Sequence, residues 1–135
     1  MSHSTSYISK LKSSKLILEK ELPRYIEKLF FEPKLTRIRI KFRDGIILYI
    51  QFNDFDEYAY SIIFSKIDLD RCRFDNYDDK WSVSSRPHHF HPRNKKAGFS
   101  SPMTGIPNHD IPVICNLILS MKLFSPDFRF ENLKA

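Results

Sequence analysis

Apolar residues along this chain change their period three times, and each change marks a new kind of element. From Ser6 to Phe31, Tyr7, Leu11, Leu18, Leu22, Tyr25, Ile26, Leu29 and Phe30 recur at helical spacings, which gathers most of them on one face of a helix. Lys10, Lys12, Lys15, Lys20 and Glu27 fill the rest. Pro23 has no amide hydrogen and clashes with the turn before it, so the pattern predicts two shorter helices or one bent one, ending at Pro33.

The period then drops to two. Arg37-Ile38-Arg39-Ile40-Lys41-Phe42 alternates charged and apolar residues, as a half-buried strand does. Arg43-Asp44-Gly45 supplies a tight Asp-Gly turn, and Ile46 to Phe52 returns as the second strand, with Ile46, Leu48, Ile50 and Phe52 on one face. Ala59–Phe64 reads as a third strand and Arg71–Phe74 as a fourth. Four strands with short connections imply an antiparallel meander.

From 76 to 108 the periodicity is lost. Pro87, Pro92, Pro102 and Pro107, with Gly98 and Gly105, punctuate a stretch that Trp81, Phe90 and Phe99 are placed to anchor. So long a loop in a small domain points to function. Helical spacing resumes with Ile114, Leu117, Ile118 and Met121, with Asp110 as expected N-cap and Pro112 in the first turn. Pro126 stops it, and 126–135 read as a short extension or a frayed tail. The expected fold is therefore α+β in two layers. An N-terminal helical segment, a four-stranded antiparallel meander, a long ordered functional loop (76–108) and a C-terminal helix make up a single domain, 1–135.

Composition narrows the class. At 135 residues the chain is long enough for one core, and 41% hydrophobic residues with 14% aromatics argue against disorder. A net charge of +6 favours polyanionic partners. Cys72 and Cys115 form no metal or disulfide pattern, which suits buried thiols in a reducing cytoplasm. No apolar run has the ~20 residues that cross a bilayer, and Met1–Ser6 lacks a signal-peptide pattern. A cytoplasmic protein with no membrane partner is expected.

The chemistry concentrates in Ser85–Lys96, where His88, His89 and His91 lie among Arg86, Arg93, Lys95 and Lys96. Histidine exchanges protons near neutrality. Metal-free cleavage of RNA needs a base for the 2′-hydroxyl, an acid for the leaving 5′-oxygen, and cations against the charge that develops on phosphorus. The histidines suit the first two roles and the cations the third. Arg71 and Arg73 project from one side of their strand, opposite Cys72 and Phe74. Tyr58 and Tyr60 share a strand face from which to stack on a base or position a phosphate. Arg37, Arg39 and Lys41 form a second cationic stripe, which serves equally to track a phosphate backbone or to defend an edge strand. In Ser100–Pro112, Ser101, Thr104 and His109 lead into the last helix; anion binding there competes with simple capping by Asp110, which is the preferred reading.

A metal is disfavoured on spacing. Three histidines in four positions are crowded, neighbours such as His88 and His89 point apart, and a further ligand would have to come from Asp75, Asp110 or His109. No metal or cofactor is expected. Two other readings stay open: a non-catalytic nucleic-acid-binding module using the Arg37–Lys41 face, and a metal-binding protein built on the histidines.

Read in order, the Asp-Gly hairpin of Arg37–Phe52, Tyr58-Ala-Tyr60, Arg73-Phe-Asp-Asn76 and Pro87-His-His-Phe-His91 resemble the TumE-like toxins of type II toxin–antitoxin systems. The resemblance covers about Arg37 to Asp110. Phe90 stands where that family commonly has lysine. It implies a RelE-related ribonuclease fold, an RNA endonuclease activity, and an antitoxin protein as partner besides RNA, with a homodimer as an open alternative. His88, His89, His91, Arg73 and Tyr60 are the positions it carries over as catalytic. Arg37, Arg39, Lys41, Arg71, Arg86, Arg93, Lys95 and Lys96 are expected to bind the nucleic acid.

Overall fold

Ser6 opens the first helix by accepting a hydrogen bond from the Ser9 amide on its side chain, which satisfies one of the donors a helix start leaves unpaired. The computed structural model describes residues 6–77 and 81–130. In it this helix, α1, runs Tyr7–Glu21 and buries Leu11, Ser14 and Leu18. The strands follow as β1 (Ile26–Glu32), β2 (Arg37–Phe42), β3 (Ile47–Phe52), β4 (Tyr58–Ile63), β5 (Arg71–Asp75) and β6 (His89–His91). The second helix, α2, is Pro107–Ser120.

The six strands form one antiparallel sheet in sequence order, β1 to β6, not the four-stranded meander expected. Two strands account for the difference. Residues 26–31 were expected to be helical, but the chain leaves α1 at Leu22-Pro23 and returns as β1, where Glu32 lies opposite Arg37 with Arg37 Nε 2.8 Å from Glu32 Oε1. Cross-strand partners decide a short apolar run whose period alone is ambiguous. The other addition, β6, is only three residues long and lies inside the aperiodic stretch. Phe90 also bridges to Phe99, each amide donating to the other's carbonyl at 2.8 Å.

The two helices lie side by side over one face of the sheet, α1 against β1–β3. Ile38, Ile40, Leu48, Ile50, Tyr60, Ile62, Cys72, Phe74 and Phe90 from the strands meet Leu11, Leu18, Ile111, Ile114 and Cys115 from the helices in one core. The α+β, two-layer expectation therefore holds. Both cysteines are buried and free, and burial pushes the Cys72 thiol up to about 12.

Several boundaries differ. Because α2 begins at Pro107, that proline takes the first-turn position and Pro112 falls inside the helix. Ile106 is the N-cap residue, without a side-chain bond, and Asp110 sits within the first turn. Met121 lies beyond the helix in a left-handed conformation and is exposed, so it is not on the apolar face. Residues 126–130 are not a frayed tail. Phe130 is buried against Phe74 and Phe90, while 131–135 lie outside the described residues, as do 78–80 of the expected loop and the first five residues of the chain. Among the described residues no helix is long and apolar enough to cross a membrane.

Candidate functional site

Strand pairing sets the side chains of the helix-free face in rows that run across the sheet. One row reads Phe30, Arg39, Tyr49, Ser61, Arg73 and His91 from β1 to β6. The next reads Glu32, Arg37, Gln51, Ala59, Asp75 and His89. The β2 stripe and the loop histidines, far apart in the sequence, thus share one face. With six strands spaced about 4.8 Å apart, the two ends of a row are about 24 Å from each other.

The β2 cations do not defend an edge, because β1 covers them and β2 is an interior strand. Arg39 stacks over Phe30 at 4.0 Å and Arg37 over Tyr49 at 5.1 Å, while Lys41 is 3.9 Å from Glu27. Around the face Lys28, Arg37, Arg39, Lys41, Arg71 and Arg73 outnumber Glu27, Glu32 and Asp75.

At the β5–β6 end, Asp75 and His89 are directly paired and fully buried. His89 Nε2 touches Asp75 Oδ1, Arg73 Nε touches Asp75 Oδ2, and His91 Nε2 lies 4.0 Å from that second oxygen. The other ring nitrogen of each histidine faces a backbone carbonyl: His89 Nδ1 is 3.0 Å from Pro87 O and His91 Nδ1 3.0 Å from Lys96 O. Trp81 packs on both imidazoles, which meet edge to face at 4.8 Å. Burial lowers the pKa of His91, against the opposing pull of Asp75.

Beside this corner is a cleft of about 250 Å³ lined by Ser61, Leu69, Arg71, Cys72, Arg73, His91, Lys95 and Lys96. Four cations and a histidine around one opening suit a phosphate group. A larger, apolar cleft of about 370 Å³ lies elsewhere, between β2–β4 and the end of α2, and holds no histidine.

Other expected site residues fall outside this corner. Tyr60 and Tyr58 are buried on the helix-covered face, so neither can stack on a base. Tyr60 donates to Asp110 Oδ2 at 2.7 Å. Burial and the nearby Asp110 carboxylate push both phenols far above their usual range. His88 turns away from its neighbour His89, as successive strand-like residues do, and its Nδ1 lies 2.9 Å from Tyr58 Oη. Burial lowers its pKa. Arg93 braces the fold: it contacts Asp70 Oδ1 at 2.5 Å, donates to Phe124 O at 3.2 Å and covers Phe64. That hydrogen bond holds the Asp70 carboxyl below its usual range. Arg86 is exposed.

Asp110 accepts hydrogen bonds from the Thr104 and Gly105 amides and from the Thr104 hydroxyl, and contacts His109 Nδ1 at 2.7 Å. It fastens the loop to α2. These donors satisfy Asp110 itself, so this segment is a structural joint; Asp110 makes it from within the first turn of α2 and not as the helix cap expected from the sequence.

Asp75 is the residue that sequence reasoning undervalued. It ends β5 inside the Arg-Phe-Asp-Asn run, and only the β5–β6 register, invisible while β6 read as loop, sets it against the histidines. A family model described as Toxin TumE matches residues 11–111, from α1 into the first turns of α2. No curated protein and no solved structure matches the chain.

Proposed function

This chain belongs to the TumE toxin family, and on that premise we propose that it is an endoribonuclease that holds single-stranded RNA across the helix-free face of its sheet and cuts it at the Asp75–His89–His91 corner. The family makes it a toxin of a toxin–antitoxin pair, with an antitoxin as partner. The observation that carries the RNA reading is the row Phe30–Arg39–Tyr49–Ser61–Arg73–His91, which leads from cations and aromatics to the histidines without leaving one face.

Each part of the row has a chemical use. Cations along β2 and β5 neutralise backbone phosphates, and Tyr49 offers a stacking surface that any base can use. At the cleft, Arg71, Arg73, Lys95 and Lys96 surround the position of a phosphate and oppose the charge that grows on it during cleavage. His91 lines that cleft, with Asp75 and His89 directly behind it. His91 is the group that reaches the RNA and moves a proton there, with the buried Asp75 and His89 orienting it.

The test is direct. Purified protein is incubated with end-labelled single-stranded RNA and compared with His91→Ala. Wild type is expected to cut, and the variant to lose about a hundredfold or more of the rate while still retarding RNA in a gel. Equal cutting by the variant would remove the histidines from the chemistry. Binding without cutting by wild type would instead favour a non-catalytic RNA-binding module on the same face.

A further inference from the structure

We infer that Asp75, His89 and His91 together form a binding site for one divalent transition-metal cation, with zinc the best match. Each Nδ1 lies 3.0 Å from a backbone carbonyl, and a carbonyl only accepts, so each Nδ1 carries a hydrogen. In the neutral rings this leaves a lone pair on each Nε2, and both lone pairs face the Asp75 carboxylate. Acceptors facing acceptors in a buried corner repel unless something positive lies between them.

Those atoms lack aligned partners, although Arg73 Nε touches Asp75 Oδ2 and His89 Nε2 touches Asp75 Oδ1. Asp75 Oδ1 and Oδ2, His89 Nε2 and His91 Nε2 are all buried, and none makes an aligned hydrogen bond among the described residues. Buried polar atoms almost always have a partner. Here four orphans converge, with one ligand atom from each residue inside a 4.8 Å span. A single proton can serve the His89–Asp75 contact. It leaves His91 Nε2, 4.0 Å from the carboxylate, without a partner, since that distance is beyond a hydrogen bond. A cation with bonds of about 2.0–2.2 Å fits once the His89–Asp75 contact opens to admit it and the His91 ring closes slightly.

The donor set and its support agree with this. Two imidazoles and one carboxylate are a known zinc combination, and three protein ligands leave a position open, as sites that do chemistry require. Histidine ligands ordinarily donate their other nitrogen to a carbonyl or carboxylate, which fixes the ring; Pro87 O and Lys96 O hold these rings in that way. The spacing objection raised from the sequence concerned His88 and His89, which do diverge. The ligands here are instead an i, i+2 pair sharing one strand face, opposite a carboxylate on the next strand. Once bound, a cation would occupy the lone pair of His91 Nε2 and could activate water or polarise a phosphate in place of proton transfer by that ring.

Binding can be measured without RNA, so the result does not depend on the endonuclease reading. Protein stripped with EDTA is titrated with Zn²⁺ by calorimetry and with Co²⁺ by visible absorption. One ion per chain is expected, together with a higher thermal midpoint. His91→Gln, at the partly exposed ligand, is expected to weaken binding about tenfold or more while its circular dichroism stays that of wild type. His88→Gln, at a histidine outside the cluster, is expected to bind as wild type does. No binding by wild type, equal binding by wild type and His91→Gln, or equal weakening by His88→Gln would overturn the site.

Discussion

Asp75 and His89 stand directly opposite one another on β5 and β6, fully buried, with carboxylate and imidazole in contact but without an aligned hydrogen bond. Asp75 is also held by Arg73, so one carboxylate ties the cationic cleft to the histidines. Asp75→Asn keeps the shape and removes the charge. The expected outcome is loss of about a hundredfold or more in RNA cleavage, measured beside a circular dichroism spectrum showing the sheet intact. Undiminished cleavage would separate Asp75 from the chemistry.

Arg39 lies in the same row as His91 but at the far side of the sheet, and it touches none of the corner residues. Arg39→Ala is expected to lower RNA affinity and to reduce the slope of log affinity against log salt by about 0.7, the value for one phosphate contact on a single strand. Tyr49→Ala is expected to cost about 1–3 kcal/mol of binding through lost stacking. Filter binding across a salt series reads both. Unchanged affinity in both variants would return the stripe to a purely structural role.

Trp81 covers the histidine pair, and Gly98 makes room for it. A Cβ at position 98 would come within 2.8 Å of the indole ring, closer than side-chain carbons approach, so the indole must move. Gly98→Ala is expected to shift Trp81 fluorescence and to impair cleavage, although neither residue touches RNA in the proposed arrangement. Normal fluorescence with normal cleavage would show that the loop absorbs the methyl group elsewhere.

Asp110 and Tyr60 join the loop to the core. Asp110→Ala leaves the Tyr60 hydroxyl and the Thr104 and Gly105 amides without their acceptor, and is expected to cost at least about 3 kcal/mol of stability. Tyr60→Phe removes one hydrogen bond from a group that stays buried, and about 1 kcal/mol is expected. Urea denaturation measures both. A Tyr60→Phe variant that folds normally but cannot cut RNA would put Tyr60 back among the catalytic residues.

The sequence was most readable where the period was clean. The β2–β3 hairpin, β4 and β5 lie within a residue of their expected bounds because alternation and the Asp-Gly turn leave one arrangement for them. It was least readable where an element is defined by its partner. Ile26, Leu29 and Phe30 fit helical spacing as well as they fit a strand, and pairing with β2 decides between them. His89–His91 is too short to show any period, so Asp75 could be considered as a ligand but not placed. The burial of Tyr60 was hidden for a related reason: alternation separates the two faces of β4, but only the helices reveal which face is covered.

The central claim, that one face carries RNA to one reactive corner, is tested most directly by measuring binding and single-turnover cleavage of the same single-stranded RNA with Arg39→Ala and His91→Ala side by side. The account predicts a split. Arg39→Ala binds more weakly but cuts at the wild-type rate once saturated, whereas His91→Ala binds as wild type does and fails to cut. A His91→Ala variant that cuts at the wild-type rate at saturation would contradict it.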